Sequence, residues 1–156
     1  MTKLVGVRPS VAFRSPREAD APAIAGLLEQ FGYPTDPGAI AQRLERLIAN
    51  PWTYALVADA DRAAVGVGAV HFIDVLEGDR PLAALVLLIV DGHHRGQGVG
   101  TALVQALERE AEARGSFGIS VHSGRARIGA HAFYRQLGYE LTGERMLKLF
   151  HSPPEE

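Results

Sequence analysis

The sequence predicts a single α/β (α+β) domain in which a central mixed, twisted sheet of about six to seven strands is flanked by four helices. Short runs rich in Val and Ala alternate with longer amphipathic stretches, which indicates strands alternating with helices. Residues 82–90 form a continuous aliphatic run, typical of a strand buried on both faces. A length of 156 residues suits one core, so we expect the domain to span 1–151 and the end, 152–156, to be a disordered tail.

The chain begins with one predicted strand and one predicted helix. Residues 11–14 alternate as a short strand. The helix that follows has two candidate starts, a capping box at 15–18 or Asp20, and the second start places Pro22 in the first turn. Gly32 is the predicted end of this helix.

The second helix is predicted between the cap Asp36 and Asn50, each of which is followed by a proline. Runs rich in Val, Ala and aromatic residues come next, at 53–58 and 64–75, and the polar residues 59–61 between them favour a β-hairpin. The remaining predicted elements are the buried strand 82–90, a helix at 101–114, a strand at 117–122, a helix at 126–137 and a closing strand region at 139–150. The predicted order is therefore β-α-α-β-β-β-α-β-α-β.

The composition excludes several classes of protein. The 16 Lys and Arg nearly balance 18 Asp and Glu, and a net charge of −2 does not build the basic face that nucleic-acid binding needs. The absence of cysteine excludes a disulfide framework, a Cys-ligated zinc ion and a thiol nucleophile. No apolar run is long enough to span a bilayer and no signal peptide is visible, so we expect neither nucleic acid nor membrane as a partner and a cytoplasmic location.

The residues that indicate chemistry lie after the 82–90 strand, where a glycine-dense loop opens directly onto a helix. Gly96, Gly98 and Gly100 let main-chain amides approach an anion without obstruction by a Cβ atom. The amides and the positive dipole end of the helix that begins near Gly98 favour phosphate. No lysine follows the glycines as in a Walker loop, and their G-x-G-x-G spacing differs from the Rossmann fingerprint. We therefore interpret the loop as a phosphate cradle of another kind.

Two segments resemble the GNAT superfamily of N-acetyltransferases. Residues 95–100, Arg-Gly-Gln-Gly-Val-Gly, match its Q/R-x-x-G-x-G/A signature, and residues 130–139 are similar to its A-x-x-F-Y-x-x-L-G-F/Y ending. The resemblance implies the GNAT fold, with a V-shaped splay of the sheet that we expect at Val90, and acetyl-CoA as cosubstrate. It implies main-chain contacts of the strand with the pantetheine arm and of the loop with the pyrophosphate. The implied cofactor-binding residues are Leu88, Val90, Arg95, Gly96, Gln97, Gly98, Val99, Gly100, Thr101 and Arg127.

The resemblance also implies catalytic roles. Tyr134 matches a tyrosine that protonates the departing thiolate, since a phenol with a pKa of about 10 can donate to a thiol whose pKa is about 8.5. The alternative for Tyr134 is a packed aromatic side chain. Several members use a glutamate on the strand equivalent to 82–90 as general base, but this strand has no carboxylate. The open candidates for the base are His122, His71, Asp74, Glu77 and a water chain.

Two further pairs of residues are considered for binding. Arg127 stands where many members have an asparagine, and Arg125 or Arg127 would either meet a CoA phosphate or face solvent. The side chains of His93 and His94 diverge and lack a third ligand at suitable spacing, so we expect no metal ion.

The predicted function is the transfer of an acetyl group from acetyl-CoA to an amine by direct attack in a ternary complex, because no Cys or recognisable Ser nucleophile is present. The alternatives are a non-catalytic acyl-CoA-binding sensor on the same fold and a kinase-like protein, against which the absent loop lysine argues. The acceptor would be a small-molecule or peptide amine. The mildly acidic rim expected to meet it comprises Tyr33, Trp52, Asp74, Glu77 and Asp79. The length of the acyl group and the oligomeric state stay open, with a homodimer as one option.

Overall fold

A computed structural model describes residues 10–122, 128–143 and 146–151. The strands are β1 (Val11–Arg14), β2 (Thr53–Ala60), β3 (Ala63–Ile73), β4 (Leu82–Val90) and β5 (Gly118–Val121), and the helices are α1 (Ala21–Gln30), α2 (Pro37–Ala49), α3 (Val99–Ala113) and α4 (Ile128–Gln136). Two 3₁₀ turns, Glu18–Asp20 and Gly92–His94, precede α1 and follow β4. No helix within these three ranges is long and apolar enough to cross a membrane.

The strands form one mixed sheet in the order β1-β2-β3-β4-β5, in which only β4 and β5 are parallel. The predicted fold class is confirmed, although the described residues contain five strands rather than six to seven. The predicted closing strand at 139–150 is not assigned as a strand at any described position. Leu147 and Phe150 in this segment are 65% and 82% exposed. Apolar residues stabilise a strand by burying one face, and these side chains bury none.

Each face of the sheet carries its own core. α1 and α2 cover one face, where Ile24 and Ile89 belong to one buried cluster. α3 covers the opposite face, where Leu107 and Leu85 belong to another. Burial of such a side chain contributes about 1.5–3 kcal/mol. Gly68 lets α3 lie directly on β3, because a Cβ atom there would stand 2.8 Å from Leu107 Cδ1.

The helix boundaries follow the predicted caps. α1 has Asp20 as its N-cap and Pro22 in its first turn, which is the later of the two predicted starts. The predicted cap of α2 is confirmed, since Asp36 Oδ2 accepts a hydrogen bond from Ala39 N at 3.1 Å. Gly32, the predicted end of α1, has a φ of +87°, a value that favours glycine.

Arg14 of β1 connects the strand to its neighbours through two carboxylates. Its Nη1 and Nη2 donate to Asp20 at 2.8 and 2.7 Å, and its Nε donates to Asp59 of β2 at 2.8 Å. Asp20 is only 5% exposed and also accepts from Arg17 N at 2.8 Å. The hydrogen bond from Arg14 holds the pKa of Asp20 below its usual range.

The hairpin between β2 and β3 turns at Asp61 and Arg62, whose φ angles are +51° and +67°. Two central residues with positive φ are typical of a type I′ turn, whose twist matches that of the strands. The turn lies beyond the predicted position at 59–61, because β2 continues to Ala60 and pairs there with Ala63.

A bulge in β4 decides where the sheet opens. The β3–β4 register shifts next to Val86, which leaves this residue as the extra one in β4. The bulge reverses the alternation of side chains, so that Leu85 belongs to the α3 core and Leu87 packs on the α1 core. β5 pairs with β4 only as far as Leu85. The strands therefore separate at Val86 and not at Val90, because the bulge bends β4 earlier than the uniform aliphatic run indicated.

Candidate active site

Beyond the bulge, one main-chain edge of β4 bonds to β3 and the other faces the opening. Asp91 N donates to Val65 O at 2.8 Å, so these two residues form a hydrogen-bonded position of the ladder. Hydrogen-bonded and non-hydrogen-bonded positions alternate in an antiparallel pair. The N–H and C=O groups of Leu88 and Val90 therefore point away from β3. The predicted pantetheine contacts of Leu88 and Val90 concern peptide groups that face the opening, and the contacts themselves stay a prediction.

The loop after β4 keeps its main chain exposed. Gly96 and Gly98 have φ angles of +72° and +83°, in the left-handed region that favours glycine. A Cβ atom at either position would have no neighbour within 4 Å. Glycine is thus favoured at both positions by the backbone conformation, while the space beside the backbone is open to a ligand.

α3 begins with Gly98 as its N-cap, and no side chain of the described residues caps it. Its first helical hydrogen bond runs from Ala102 N to Gly98 O at 3.0 Å. The amides of Val99, Gly100 and Thr101 precede that bond and have no acceptor within the helix. Together with the helix dipole, these amides form a site suited to an anion, as the sequence predicts for 95–101.

Asp91, directly after β4, joins the loop to the end of α1. Its Oδ1 accepts from Gln30 Nε2 at 2.7 Å, and its Oδ2 lies 2.8 Å from His94 Nδ1. Gly92 N donates to Gln30 Oε1 at 2.9 Å. The hydrogen bonds from Gln30 and His94 hold the pKa of Asp91 below its usual range. Asp91 and Gln30 were not predicted as site residues, because they lie 61 positions apart and no local spacing relates them.

The side chains of the loop bond to its own main chain. Arg95 Nε donates to Val90 O at 3.3 Å, and Gln97 Nε2 donates to His93 O at 3.2 Å. The guanidinium carbon of Arg95 lies 4.9 Å from the ring centroid of Phe31, a cation–π distance. Arg95 therefore places a positive charge where β4 passes into the loop.

Tyr134 lies on α4 within an aromatic group. Its ring meets Phe133 and Tyr139 edge-on, with centroids 5.0 and 5.4 Å away. Phe133 packs at the start of α3, because a Cβ atom on Gly100 would stand 3.6 Å from Phe133 Cζ. α4 is thereby held beside the phosphate-suited end of α3, and Tyr134 packs on the same cluster as Leu88. The role of Tyr134 as general acid stays a prediction.

Tyr139 was not singled out by sequence analysis as a site residue, and its hydroxyl has a clear structural partner. It donates to Glu108 Oε1 of α3 at 2.8 Å. Burial, and next the Glu108 carboxylate, raise the pKa of the Tyr139 phenol. Tyr139 thus fastens the end of α4 to α3, and its phenol does not ionise near neutral pH.

The candidate bases lie in different places. His122 directly follows β5, whose last residue Val121 pairs with Leu85, so it lies next to the point where the sheet opens. His71 pairs with Ala84 and lies on β3, on the other side of β4 from the opening, and its Nδ1 lies 3.3 Å from Thr53 Oγ1. Glu77 and Asp74 are exposed in the connection between β3 and β4, at the opposite end of β4 from the loop. The topology therefore favours His122 among them.

Some predicted residues fall elsewhere. Arg127 and Arg125 lie outside the described residues. Of the five residues of the expected acceptor rim, only Tyr33 lies apart, since it follows α1 at the loop end of the sheet. Trp52 bonds to Phe72 at the other end, where the β3–β4 connection with the three acidic residues also lies. Tyr33 was grouped with residues far from it in the chain, and the sequence alone does not fix where such residues fold.

Sequence comparison identifies the chain with a known family. The model of the acetyltransferase (GNAT) family matches residues 23–139. N-acetyltransferase 8F1 of Rattus norvegicus is 30% identical over 94 residues, which are 60% of this chain and 42% of that protein. N-acetyltransferase 8 of Homo sapiens is 33% identical over 89 residues, or 56% of this chain and 39% of that protein. The matched segment spans less than half the length of these curated relatives.

Solved structures share the fold. The aminoglycoside N-acetyltransferase AAC(6′)-Iy in complex with CoA superimposes with a TM-score of 0.80 at 19% identity, covering 96% of this chain and all of that one. Glucosamine-6-phosphate N-acetyltransferase from Arabidopsis thaliana superimposes with a TM-score of 0.77 at 17% identity, covering 91% of this chain and 99% of that one. At these identities the likeness shows the fold alone.

Proposed function

Because the chain belongs to the acetyltransferase (GNAT) family, we propose that it transfers an acetyl group from acetyl-CoA to an amine by direct attack within a ternary complex. The observation that carries the proposal is the uncapped start of α3. This helix start follows two glycines in the left-handed conformation, Gly96 and Gly98. The strand before them, β4, has a main-chain edge that faces the opening of the sheet. A ligand with a diphosphate at one end and an amide-containing arm at the other suits both features.

The residues present fit CoA. Diphosphate oxygens accept hydrogen bonds, and the amides of Val99, Gly100 and Thr101 are donors without a helical acceptor. The pantetheine arm contains amides, which can bond to the exposed edge of β4 at Leu88 and Val90 as an added strand would. Bound acetyl-CoA supplies an activated acetyl thioester, which is why no nucleophile of the protein is needed.

The chain's own residues then have three tasks. A main-chain N–H of β4 at the opening near Val86 would orient and polarise the acetyl carbonyl, a form of stabilisation that a fixed peptide dipole provides well. His122, beside the separation of β4 and β5, would accept the proton of the attacking amine. Tyr134 would donate a proton to the departing sulfur. Each group acts on a different atom, so their losses can be measured separately.

The first experiment is turnover of acetyl-CoA with a panel of amines, with CoA release as the readout. The named substrates of the fold relatives, an aminoglycoside and glucosamine 6-phosphate, carry amino groups and define two members of the panel. A peptide with an unblocked amino terminus is the third. If the protein binds acetyl-CoA but releases CoA with none of these three amines, the proposed reaction is contradicted.

Tyr134→Phe tests the assigned acid. We expect kcat to fall about 100-fold, the lower range for a general acid, with little change in the Kd of CoA. Tyr139→Phe is the matched control, since it also removes one hydroxyl from this aromatic group but breaks a contact with Glu108 that links two helices. It should lower stability by about 1 kcal/mol and retain kcat. Equal kcat values for Tyr134→Phe and the wild type would remove the role of Tyr134.

A second candidate function is a non-catalytic acyl-CoA sensor. The observation that favours it is the absence of any carboxylate on β4, Leu82–Val90. Such a protein would bind acetyl-CoA with a melting shift but release no CoA with any amine. The same panel therefore separates the two candidates.

A further inference from the structure

We propose that Gln30, at the end of α1, is a positioning residue that fixes the first peptide of the diphosphate-binding loop. The proposal deepens the function above and rests on it. Gln30 makes two hydrogen bonds to residues that follow β4 directly, Asp91 and Gly92. It is exposed and belongs to a helix on the opposite face of the sheet from α3, so it would not contact the diphosphate itself.

The two hydrogen bonds admit one orientation of the Gln30 amide. Nε2 donates to Asp91 Oδ1 at 2.7 Å, and Oε1 accepts from Gly92 N at 2.9 Å. A rotated amide would place oxygen against the carboxylate and NH₂ against N–H, so both bonds would be lost. Glutamine is also distinguished from glutamate, because a carboxylate at this position would face the Asp91 carboxylate.

The end of α1 holds the loop at a second point. The guanidinium of Arg95 lies over the ring of Phe31, the residue after Gln30. α1 itself is fixed by buried side chains, including Ile24 and Leu27, which are 4% and 3% exposed. A well-packed helix thus anchors an exposed loop through a pair of adjacent residues, Gln30 and Phe31.

Gln30 acts at the start of the loop, where its hydrogen bonds set the orientation of the first peptide group. Gly92 begins the 3₁₀ turn that leads to Gly96 and Gly98, and the amides for the ligand follow. When the first peptide is held, fewer loop conformations must be lost on binding, so affinity for the group bound there increases. The pantetheine arm would bind to β4, which is held by β3 and does not depend on Gln30.

The test uses Gln30→Leu and Gln30→Glu, with Gln42→Leu and Gln42→Glu as controls. Gln42 is an exposed glutamine on α2, so the controls repeat the change in polarity and in charge on a helix surface. NMR titrations measure the Kd of CoA, and of pantetheine, which lacks the diphosphate. We expect both Gln30 variants to bind CoA about tenfold more weakly, the size of one charge-assisted hydrogen bond, with the Kd of pantetheine unchanged.

Two affinity results would overturn the role of Gln30. One is a CoA affinity that is equal in the Gln30 and Gln42 variants, and the other is an equal loss of CoA and pantetheine affinity, which indicates general loosening. Hydrogen exchange of the Gly92 amide, measured without ligand, should be faster in Gln30→Leu than in Gln42→Leu, and equal rates would overturn the anchor itself. Wild-type protein that binds no CoA would overturn the proposed function, while the Gly92 exchange would still report on the anchor.

Discussion

The α2 helix begins with a carboxylate that caps its own first turn, whereas the α3 helix begins with a glycine that caps nothing. Asp36 Oδ2 accepts from Ala39 N, so one of the first amides of α2 is already satisfied. Gly98 leaves the corresponding amides of α3 without a side-chain acceptor in the described chain. Both helices have an equivalent need for acceptors at their first turn. The difference supports the proposal that α3, unlike α2, begins at a site for an external anion.

The α1 helix gives a third arrangement. Its N-cap residue, Asp20, is acidic like that of α2, but its carboxylate bonds to Arg14 and to Arg17 N and makes no side-chain cap. Asp20 is used to join β1 to the helix, and it is buried. The role of an acidic residue before a helix therefore depends on which hydrogen-bond donors the fold places beside its carboxylate. The three helix starts can be tested against each other.

The largest effect is expected for Gly98→Asp, which would place at the start of α3 the residue type that caps α2. A carboxylate here would occupy the amides and repel the diphosphate, and the left-handed φ of +83° adds strain. We expect CoA affinity to fall about 1,000-fold, or about 4 kcal/mol, in isothermal titration calorimetry.

The control for Gly98→Asp is Gly115→Asp, at the other end of the same helix. Gly115 has a φ of +81° and, like Gly98, no neighbour within 4 Å of an added Cβ atom. The backbone strain is thus the same, but no ligand is proposed there. The Tm of this variant should fall and its Kd for CoA should stay within about twofold of the wild type. Similar losses of CoA affinity in both variants would show that strain, and not blocked amides, is the cause.

Asp20→Asn is expected to have the next largest effect, which is a loss of unfolding free energy. Removing the charge leaves Arg14 with a weakened partner in a part-buried site, for which about 3 kcal/mol of unfolding free energy is expected. The difference between wild type and variant should be measured by urea unfolding from pH 7 downwards. CoA affinity of the folded variant should be unchanged, since α1 begins away from the loop.

The pH dependence of this difference has a fixed sign. The pKa of Asp20 is lowered in the folded protein, so its contribution is present above the ordinary carboxyl pKa and is lost as the pH falls through the folded value. Wild type and Asp20→Asn should therefore converge in stability below about pH 4. A difference that stays constant to lower pH would indicate that the ion pair with Arg14 is not its source.

Asp36→Ala should have a smaller effect. It removes the hydrogen bond to Ala39 N and leaves a first-turn amide of α2 without its side-chain acceptor, which costs about 1 kcal/mol in unfolding free energy. Urea unfolding measures the change, and CoA titration should show no difference. A marked loss of CoA affinity would contradict the assignment of α2 as a structural helix start.

These contrasts also explain what the sequence could predict. Asp36, Gly32 and the loop glycines act on neighbours within a few residues, so their roles follow from local chemistry. The partnership of Gln30 with Asp91 spans 61 positions and depends on how α1 packs on the sheet. Long-range pairs of this kind leave no spacing pattern in a single sequence.

The position of the opening was missed for a different reason. Residues 82–90 are aliphatic throughout, so the reversal of side-chain direction at Val86 leaves no change in the hydrophobic pattern. The segment 139–150 was wrongly predicted as a strand at its described positions. Its apolar residues favoured a strand, but the sequence does not show that no neighbouring element of the described chain covers them. The loop motif was predictable because its glycines and the strand before it are contiguous.

The smallest effect is expected for Asp36→Gly, which gives α2 the cap residue of α3. Glycine is nearly as good as Asp at an N-cap because it leaves the amides accessible to water, so the cost in unfolding free energy is about 0.3 kcal/mol, well below that of Asp36→Ala. Urea unfolding of both variants in parallel measures the difference. If Asp36→Gly lowers the free energy of unfolding as much as Asp36→Ala does, glycine is no better than alanine as an N-cap in this chain. If the expected order holds, α3 can keep its first amides open for a ligand with almost no loss of stability, which is the physical reason a glycine can stand at Gly98.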